Sequence, residues 1–167
     1  MSLLCCVAFF SEQSCAQLSP LIQNIGGRET TSLDGQWKVI VDPYDVGGID
    51  YRGQLLKGNS AFYKNYKPKS DSELVEYDFD TSGQLNVPGD WNTQRESLLF
   101  YEGSVWYKRS FDYVKPPNKR LFVHFGATNY MADVFLNGQV LGHHEGGFTP
   151  FDFEITDLVR PQGNFLV

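Results

Sequence analysis

The sequence predicts an all-β fold, built as a sandwich of short antiparallel strands. Apolar residues recur with a period of two along much of the chain, and no stretch carries the apolar spacing of an amphipathic helix. Clusters of Gly, Pro, Asn and Asp separate these segments at short intervals, as in β-sandwiches. With 167 residues, 41% of them hydrophobic and 15% aromatic, the chain can bury the core of one domain.

The first predicted strand covers residues 35–41. Trp37, Val39 and Val41 fall on one face, with Gln36 and Lys38 on the other. A second strong strand is predicted at residues 104–113. It ends before Lys-Pro-Pro-Asn, which cannot continue a ladder of hydrogen bonds between strands.

A hairpin follows in the second half of the chain. After a strand at residues 121–125, residues 130–136 and 139–141 are separated by Asn137 and Gly138 alone. Asn-Gly is the pair favoured where a two-residue turn needs positive φ at both positions. These residues therefore predict two adjacent antiparallel strands.

Residues 151–155 alternate in the order Phe-Asp-Phe-Glu-Ile. A strand of this pattern turns its aromatic and aliphatic side chains to the core and its acids to the opposite face. We therefore expect Asp152 and Glu154 to be a solvated pair and not a catalytic one.

The other segments break the period of two. Residues 42–71 combine four glycines with several aromatic residues, which favours an ordered flap over one end of the sandwich. Residues 156–159 look like a capped helical turn, and a further strand begins at Asn164. The sequence stops within that strand, so we expect the sandwich to be incomplete at its C-terminal end and to self-associate through an exposed edge strand.

The N-terminal residues resemble a secretion signal. Residues 3–10 form an apolar run of signal-core length, and small residues precede a cleavage point before Gln17. We therefore assign residues 1–16 to a signal-peptide remnant, 17–31 to an extended segment and 32–167 to the sandwich domain. A buried N-terminal strand is the alternative; a lipid anchor on Cys15 is disfavoured by the polar residues before it. This interpretation predicts a secreted or periplasmic protein.

The cysteine positions and the net charge exclude several classes of function. All three cysteines precede the predicted cleavage point, so the mature chain would have no disulfide, thiol nucleophile or cysteine metal site. The net charge is −6, and no run of Lys or Arg exceeds two residues. Neither nucleic acid nor an anionic membrane surface is therefore expected as a partner.

Some residues invite a functional interpretation. His143, His144 and Glu145 could suggest a metal site, but adjacent side chains on a strand point to opposite faces, so we expect a turn without a metal. No motif for a cofactor is found. The chain has three tryptophans, Trp37, Trp91 and Trp106. Their rings could stack on sugars, but each lies in or beside a strand, which favours a packing role.

Four ordered motifs resemble one enzyme family. They are Leu-Asp-Gly-Gln-Trp at 33–37, Val-Pro-Gly-Asp-Trp-Asn at 87–92, Tyr-Glu-Gly-Ser-Val-Trp-Tyr-Lys-Arg at 101–109, and the hairpin and turn over 132–151. Their order and spacing are similar to the N-terminal domain of glycoside hydrolase family 2. The Pro-Gly pair and the last turn are more similar to β-glucuronidases than to β-galactosidases.

The resemblance implies a jelly-roll β-sandwich of the galactose-binding-domain-like kind. In that family an immunoglobulin-like domain and a TIM barrel follow, and the barrel holds the catalytic acid and nucleophile. The resemblance therefore implies no catalytic residue in this chain, which would serve a parent enzyme that hydrolyses a β-glucuronide or β-galactoside.

One loop has a possible role at the substrate. In the family, the loop before the strand equivalent to residues 104–113 can reach the sugar, so Tyr101 and Glu102 are expected to be substrate-proximal. They could instead only pack against a neighbouring domain. Two functions stay open at this point: an accessory domain of a secreted, exo-acting glycosidase, or a free-standing carbohydrate-binding module.

Overall fold

A computed structural model describes residues 22–48, 70, 72 and 77–167 of the protein. Eight strands lie in these residues. They are β1 (Gly35–Asp42), β2 (Gln84–Val87), β3 (Ser104–Phe111), β4 (Phe122–Phe125), β5 (Met131–Leu136), β6 (Gln139–Glu145), β7 (Phe151–Glu154) and β8 (Asn164–Leu166). The predicted signal remnant at 1–16 and most of the predicted flap lie outside the described residues.

The strands form two antiparallel sheets. One has six strands in the order β2-β1-β3-β8-β5-β6, and the other pairs β4 with β7. The main core cluster draws Trp37, Val134 and Leu166 from the large sheet and Val123 and Phe153 from the small one. The core therefore lies between the two sheets, which confirms the predicted β-sandwich.

The hairpin prediction is confirmed. Asn137 has φ of 54° and Gly138 has φ of 82°, so both turn residues are in the left-handed region. The second strand is longer than predicted, because β6 continues to Glu145. His143 and His144 therefore lie on a strand, and the expectation of a turn at these positions was wrong.

Strand β1 has buried residues on both of its faces. Trp37 and Val39 are buried on the predicted face, but Ile40, on the opposite face, is also buried. Ile40 is paired with Trp106 of β3. Both faces of β1 are thus covered towards its end, which a period of two in one strand cannot reveal.

The expectation of a solvated pair in β7 was wrong for Asp152. This carboxylate is only 2% exposed. It accepts hydrogen bonds from the backbone amide of Ile22 at 2.7 Å and lies 2.7 Å from Nδ1 of His124 on β4. The N-terminal segment thus covers the outer face of the small sheet at this point. Glu154 is exposed as predicted.

The segment at 156–159 forms a single turn. The carbonyl of Ile155 accepts from the amides of Leu158 and Val159. The hydroxyl of Thr156, the first residue of this turn, accepts from the amide of Leu121 at 3.0 Å and donates to Glu154. The turn is therefore tied to the entry of β4 and not capped by its own side chain.

Three short helical elements in the described residues escaped prediction. One turn of 3-10 helix covers Ile25–Gly27, within the segment predicted to be extended. Helix α1 (Trp91–Gln94) is followed by one turn of 3-10 helix at Glu96–Leu98. Asp90 caps α1, since its carboxylate accepts from the amide of Thr93 at 2.8 Å. Elements of one turn are too short to leave a periodic signal. In the described part of the chain, no helix has the length and apolar character that crossing a bilayer requires.

Candidate functional site

The predicted site residues lie in the 99–103 loop, which joins the short helical elements to β3. Asn92 fixes this loop, because its side-chain amide donates to the carbonyls of Leu98, Leu99 and Tyr101. The indole of Trp91 also donates to the Tyr101 carbonyl, at 3.2 Å. The loop therefore has a defined backbone path.

Tyr101 is half-buried and folds back onto its own loop. Its hydroxyl donates to the carbonyl of Ser104 at 3.0 Å, and its ring meets the ring of Trp91 edge to face, with centroids 6.4 Å apart. Burial, together with the carboxylates of Asp42 and Asp45, raises the pKa of the Tyr101 hydroxyl. The side chain is thus a neutral donor that shapes the loop.

Glu102 differs from its neighbour in being exposed. Gly103 follows it with φ of 153°, and a Cβ there would lie 2.6 Å from the Tyr101 hydroxyl oxygen. Only glycine suits this close return of the chain. The loop therefore turns Tyr101 inward and leaves Glu102 facing solvent. Contact of either residue with a substrate stays a prediction.

The turn after β1 supports the same loop. Asp42 is fully buried and accepts hydrogen bonds from the amides of Val46 and Gly47 and from the indole of Trp106. Asp45 accepts from the hydroxyl of Ser104 at 2.7 Å. Buried carboxylates need such partners, because desolvation is costly. Two strand ends are thereby fixed together beside the 99–103 loop.

Sequence reasoning missed Asp42 and Asp45. The available signal was an acidic residue that ends an apolar strand and is followed at once by a turn, a position where Asp accepts from nearby backbone amides. This signal predicts a local turn, but not the bond from the Trp106 indole, which lies 64 residues away.

Exposed apolar residues lie on the 99–103 loop and on the turn after β1, which the Asp45–Ser104 bond ties to the start of β3. We call them the rim patch and define it as Tyr44, Val46, Leu99 and Phe100. Phe100 is 92% and Tyr44 77% exposed, whereas Leu99 is 49% and Val46 47% exposed. Single exposed apolar residues are common on protein surfaces, whereas a cluster beside an ordered loop suggests a contact surface. The rim patch therefore marks this end of the sandwich as the candidate site.

The acids of β7 have no environment suited to glycosidic chemistry. Asp152 is buried against His124. Glu154 binds the guanidinium of Arg120 through both oxygens, at 2.9 and 2.6 Å. The hydrogen bond from Arg120 and, to a smaller extent, that from Thr156 lower the pKa of the Glu154 carboxyl to about 2. A glycosidase acid instead needs a raised pKa beside an open sugar pocket.

The two histidines of β6 have separate structural roles. Nδ1 of His143 lies 2.8 Å from Asp133, and its Nε2 lies 3.4 Å from Glu145. The hydrogen bond to Asp133 is the main cause that raises the pKa of His143. His144 points to the other face and stacks on Phe151. Among residues 22–48, 70, 72 and 77–167, no group of three metal-binding side chains is placed to hold an ion.

The tryptophans are engaged within the domain. Trp37 is buried in the core, and its indole donates to the carbonyl of Leu33. Trp91 and Trp106 are half-buried and hydrogen-bonded as described above, and Trp106 stacks on Phe135. This agrees with the predicted packing role.

Comparison with known proteins identifies the protein family. The family model described as "Glycosyl hydrolase 2 galactose-binding domain-like" matches residues 84–167, half of the chain. The chain therefore belongs to this family, as its four motifs predicted.

Several relatives are glycosidases. The chain is 35% identical over 114 residues to a β-glucuronidase of Bacteroides fragilis, covering 64% of this chain and 14% of that protein. It is 30% identical over 109 residues to a β-galactosidase of Thermoanaerobacter pseudethanolicus, covering 60% of this chain and 14% of the relative. The chain thus spans a small part of these relatives.

A solved structure shows the same likeness. The β-glucuronidase of Bifidobacterium dentium, solved in complex with coumarin-3-O-glucuronide, is 31% identical with a TM-score of 0.53. The match covers 80% of this chain and 18% of that one.

Proposed function

We propose that this chain is the N-terminal, non-catalytic domain of a secreted, exo-acting glycoside hydrolase, and that its 99–103 loop shapes the substrate entrance. The observation that carries this proposal is the exposed rim patch beside a loop held in one backbone path. A fixed loop that presents Phe100 and Glu102 to its surroundings is suited to contact a neighbouring domain or a bound sugar. Membership of the glycosyl hydrolase 2 family supports the same role.

The proposed substrate of the parent enzyme is a β-glucuronide, with a β-galactoside as the second candidate. The Pro-Gly pair at 88–89 and the turn over 145–151 favour the first, and relatives named β-glucuronidase support it. In this proposal an immunoglobulin-like domain and a TIM barrel of the same parent chain are the domain's partners. The barrel supplies both carboxylates, so the domain alone hydrolyses no glycoside.

Substitutions in the full-length parent enzyme test the role of the loop. We expect Phe100→Ala and Glu102→Gln each to lower kcat/KM for a chromogenic β-glucuronide about tenfold, which corresponds to about 1.4 kcal/mol. Val114→Ala is the matched control, because Val114 is also exposed but lies beyond the opposite end of β3. Unchanged kcat/KM in both loop variants would contradict a role at the substrate entrance.

Secretion needs its own test. Expression with the native leader, followed by determination of the N-terminus of the exported protein, should give Gln17 as the first residue. Retention inside the cell with residues 1–16 still attached would oppose export.

The alternative, a free-standing carbohydrate-binding module, predicts a different result. Such a module would bind glucuronic acid or galactose more tightly than about 1 mM, near −4 kcal/mol, and would lose this binding without unfolding in Trp91→Ala. We expect weaker binding or none, because the indole of Trp91 is engaged with the loop backbone. Calorimetric titration of the chain with both sugars distinguishes the two functions.

A further inference from the structure

Asn137 forms the turn between β5 and β6 and also ties that hairpin to residues 158–165. Its backbone amide donates to the carbonyl of Phe165 at 2.9 Å, and its side-chain oxygen accepts from the amide of Phe165 at 3.0 Å. Its side-chain nitrogen donates to the carbonyl of Leu158 at 2.9 Å and to Oδ1 of Asn164 at 3.0 Å. Both ends of the side chain are therefore engaged.

Backbone partners fix the orientation of both asparagine side chains. A peptide N–H only donates and a peptide carbonyl only accepts, so Oδ1 of Asn137 faces the Phe165 amide and Nδ2 faces the Leu158 carbonyl. Asn164 is 1% exposed; its Oδ1 accepts from the amide of Arg160 at 2.8 Å, and its Nδ2 donates to the carbonyl of Arg160 at 2.6 Å. Neither side chain can turn over without losing these bonds.

The residue after Asn137 makes its side chain chemically vulnerable. Asn137 and Gly138 form the one Asn-Gly pair of the sequence. Glycine has no Cβ, so its backbone nitrogen approaches the preceding side chain with little hindrance. When that nitrogen attacks Cγ, a C–N bond forms, the bond from Cγ to Nδ2 breaks, and the amide proton leaves with Nδ2 as ammonia. One water molecule then opens the resulting succinimide to aspartate or isoaspartate.

The folded turn opposes the attack. Asn137 has φ of 54°, in the left-handed region, where ψ is about +47°. At that ψ, the Cβ of Asn137 and the nitrogen of Gly138 lie on nearly opposite sides of the Cα–C bond. The five-membered succinimide ring requires them to be nearly eclipsed. The turn must therefore open, and the side chain must leave its partners, before the ring can close.

Conversion to aspartate would reverse one of these hydrogen-bonding roles. An oxygen, which only accepts, would replace the Nδ2 donor and would face the Leu158 carbonyl and Oδ1 of Asn164, which also accept. Asn164 cannot supply a donor instead, because both ends of its side chain are held by Arg160. Acceptors that lose their donor in a buried site are destabilising. Isoaspartate would in addition lengthen the backbone of a two-residue turn.

We propose that Asn137 is a deamidation site, and that its conversion to aspartate or isoaspartate detaches the 158–164 segment from the β5–β6 hairpin. The reactants are the chain itself and water. The folded turn withholds Asn137 from the reaction, and each opening of the turn makes it available. The change is one-way because ammonia is lost, so the modified fraction records how often this part of the domain has opened.

The first test compares the rate of deamidation in the folded and the unfolded chain. The chain is incubated at mildly alkaline pH, with or without urea sufficient to unfold it, and peptide mass spectrometry locates each replacement of NH2 by OH. We expect Asn137 to react at least about tenfold more slowly in the folded chain. Asn118 is the internal control, because it also has a positive φ, of 59°, but precedes Lys119 and should stay unmodified. Equal rates at Asn137 in the two states would overturn the proposal.

The second test measures what the modification does to the fold. We expect Asn137→Asp to speed amide exchange at residues 158–160 about tenfold or more. Asn118→Asp is the matched control, because Asn118 is exposed, is also left-handed, and forms no side-chain hydrogen bond within the described ranges. If Asn137→Asp does not fold, the deamidated fraction of aged native protein, separated by its additional negative charge, is measured instead. Unchanged exchange at 158–160, or faster exchange confined to the turn itself, would show that the segment is not held through Asn137.

Discussion

The contact between Gly142 on β6 and Phe153 on β7 allows a quantitative test of how the two sheets pack. An ideal Cβ at Gly142 would lie 2.4 Å from Cε1 and 3.1 Å from Cζ of the Phe153 ring. That ring is 7% exposed and meets Phe151 edge to face, with centroids 5.8 Å apart. Gly142→Ala therefore forces a buried ring to move, and such overpacking costs about 1 to 3 kcal/mol.

Phe153→Ala should reduce the free energy of unfolding by about 3 to 5 kcal/mol, through lost burial and a cavity. In the double variant, the new methyl group at position 142 enters the vacated space, so the clash disappears. We thus expect the double variant to be more stable than the sum of the single changes predicts, by about 1 to 3 kcal/mol.

Urea unfolding of the four proteins measures this coupling. Val140→Ala on the same strand is the control, because its side chain is 55% exposed and should change stability by less than about 0.5 kcal/mol. Additivity within about 0.5 kcal/mol, or a loss below about 1 kcal/mol in Phe153→Ala, would show that the sheets do not pack through this contact.

Two further predictions concern ionisable groups. Asp152→Ala removes the acceptor for Ile22 and His124, so we expect a loss of about 2 to 4 kcal/mol in urea unfolding, and a loss below about 1 kcal/mol would contradict the buried contact. His143 has a raised pKa in the folded state, so its contribution to stability is complete below about pH 6.5, its unfolded pKa, and is lost as the pH rises through the folded pKa. The difference in stability between the native protein and His143→Gln should therefore be larger at about pH 5.5 than at about pH 9, and equal differences would argue against the ion pair with Asp133.

Local sequence determined the elements of this fold. The left-handed conformations at Asn137 and Gly138 follow from these two residue types, so the hairpin was predictable from the sequence alone. Period-two alternation located β1, β3 and β7 for the same reason, because side-chain direction in a strand depends only on the strand itself. Four ordered motifs then indicated the family, and the match to residues 84–167 supports this.

Burial was decided by the tertiary structure. Alternation placed Asp152 on the face opposite the core but could not show that Ile22, 130 residues earlier, covers that face. Ile40 is buried for a similar reason, since its neighbour across the pair is Trp106. A period reports which residues share a face, whereas the exposure of that face depends on segments distant in sequence.

At the candidate site too, the sequence determined the local elements and the tertiary structure decided the contacts. The sequence placed Tyr101 and Glu102 in a loop before β3. Only the tertiary structure separated their roles, because the Tyr101 hydroxyl bonds to Ser104 while Glu102 faces solvent. It also brought the buried Asp42 to the Trp106 indole. Such contacts join residues far apart along the chain, and their free energy arises only when the sheets assemble.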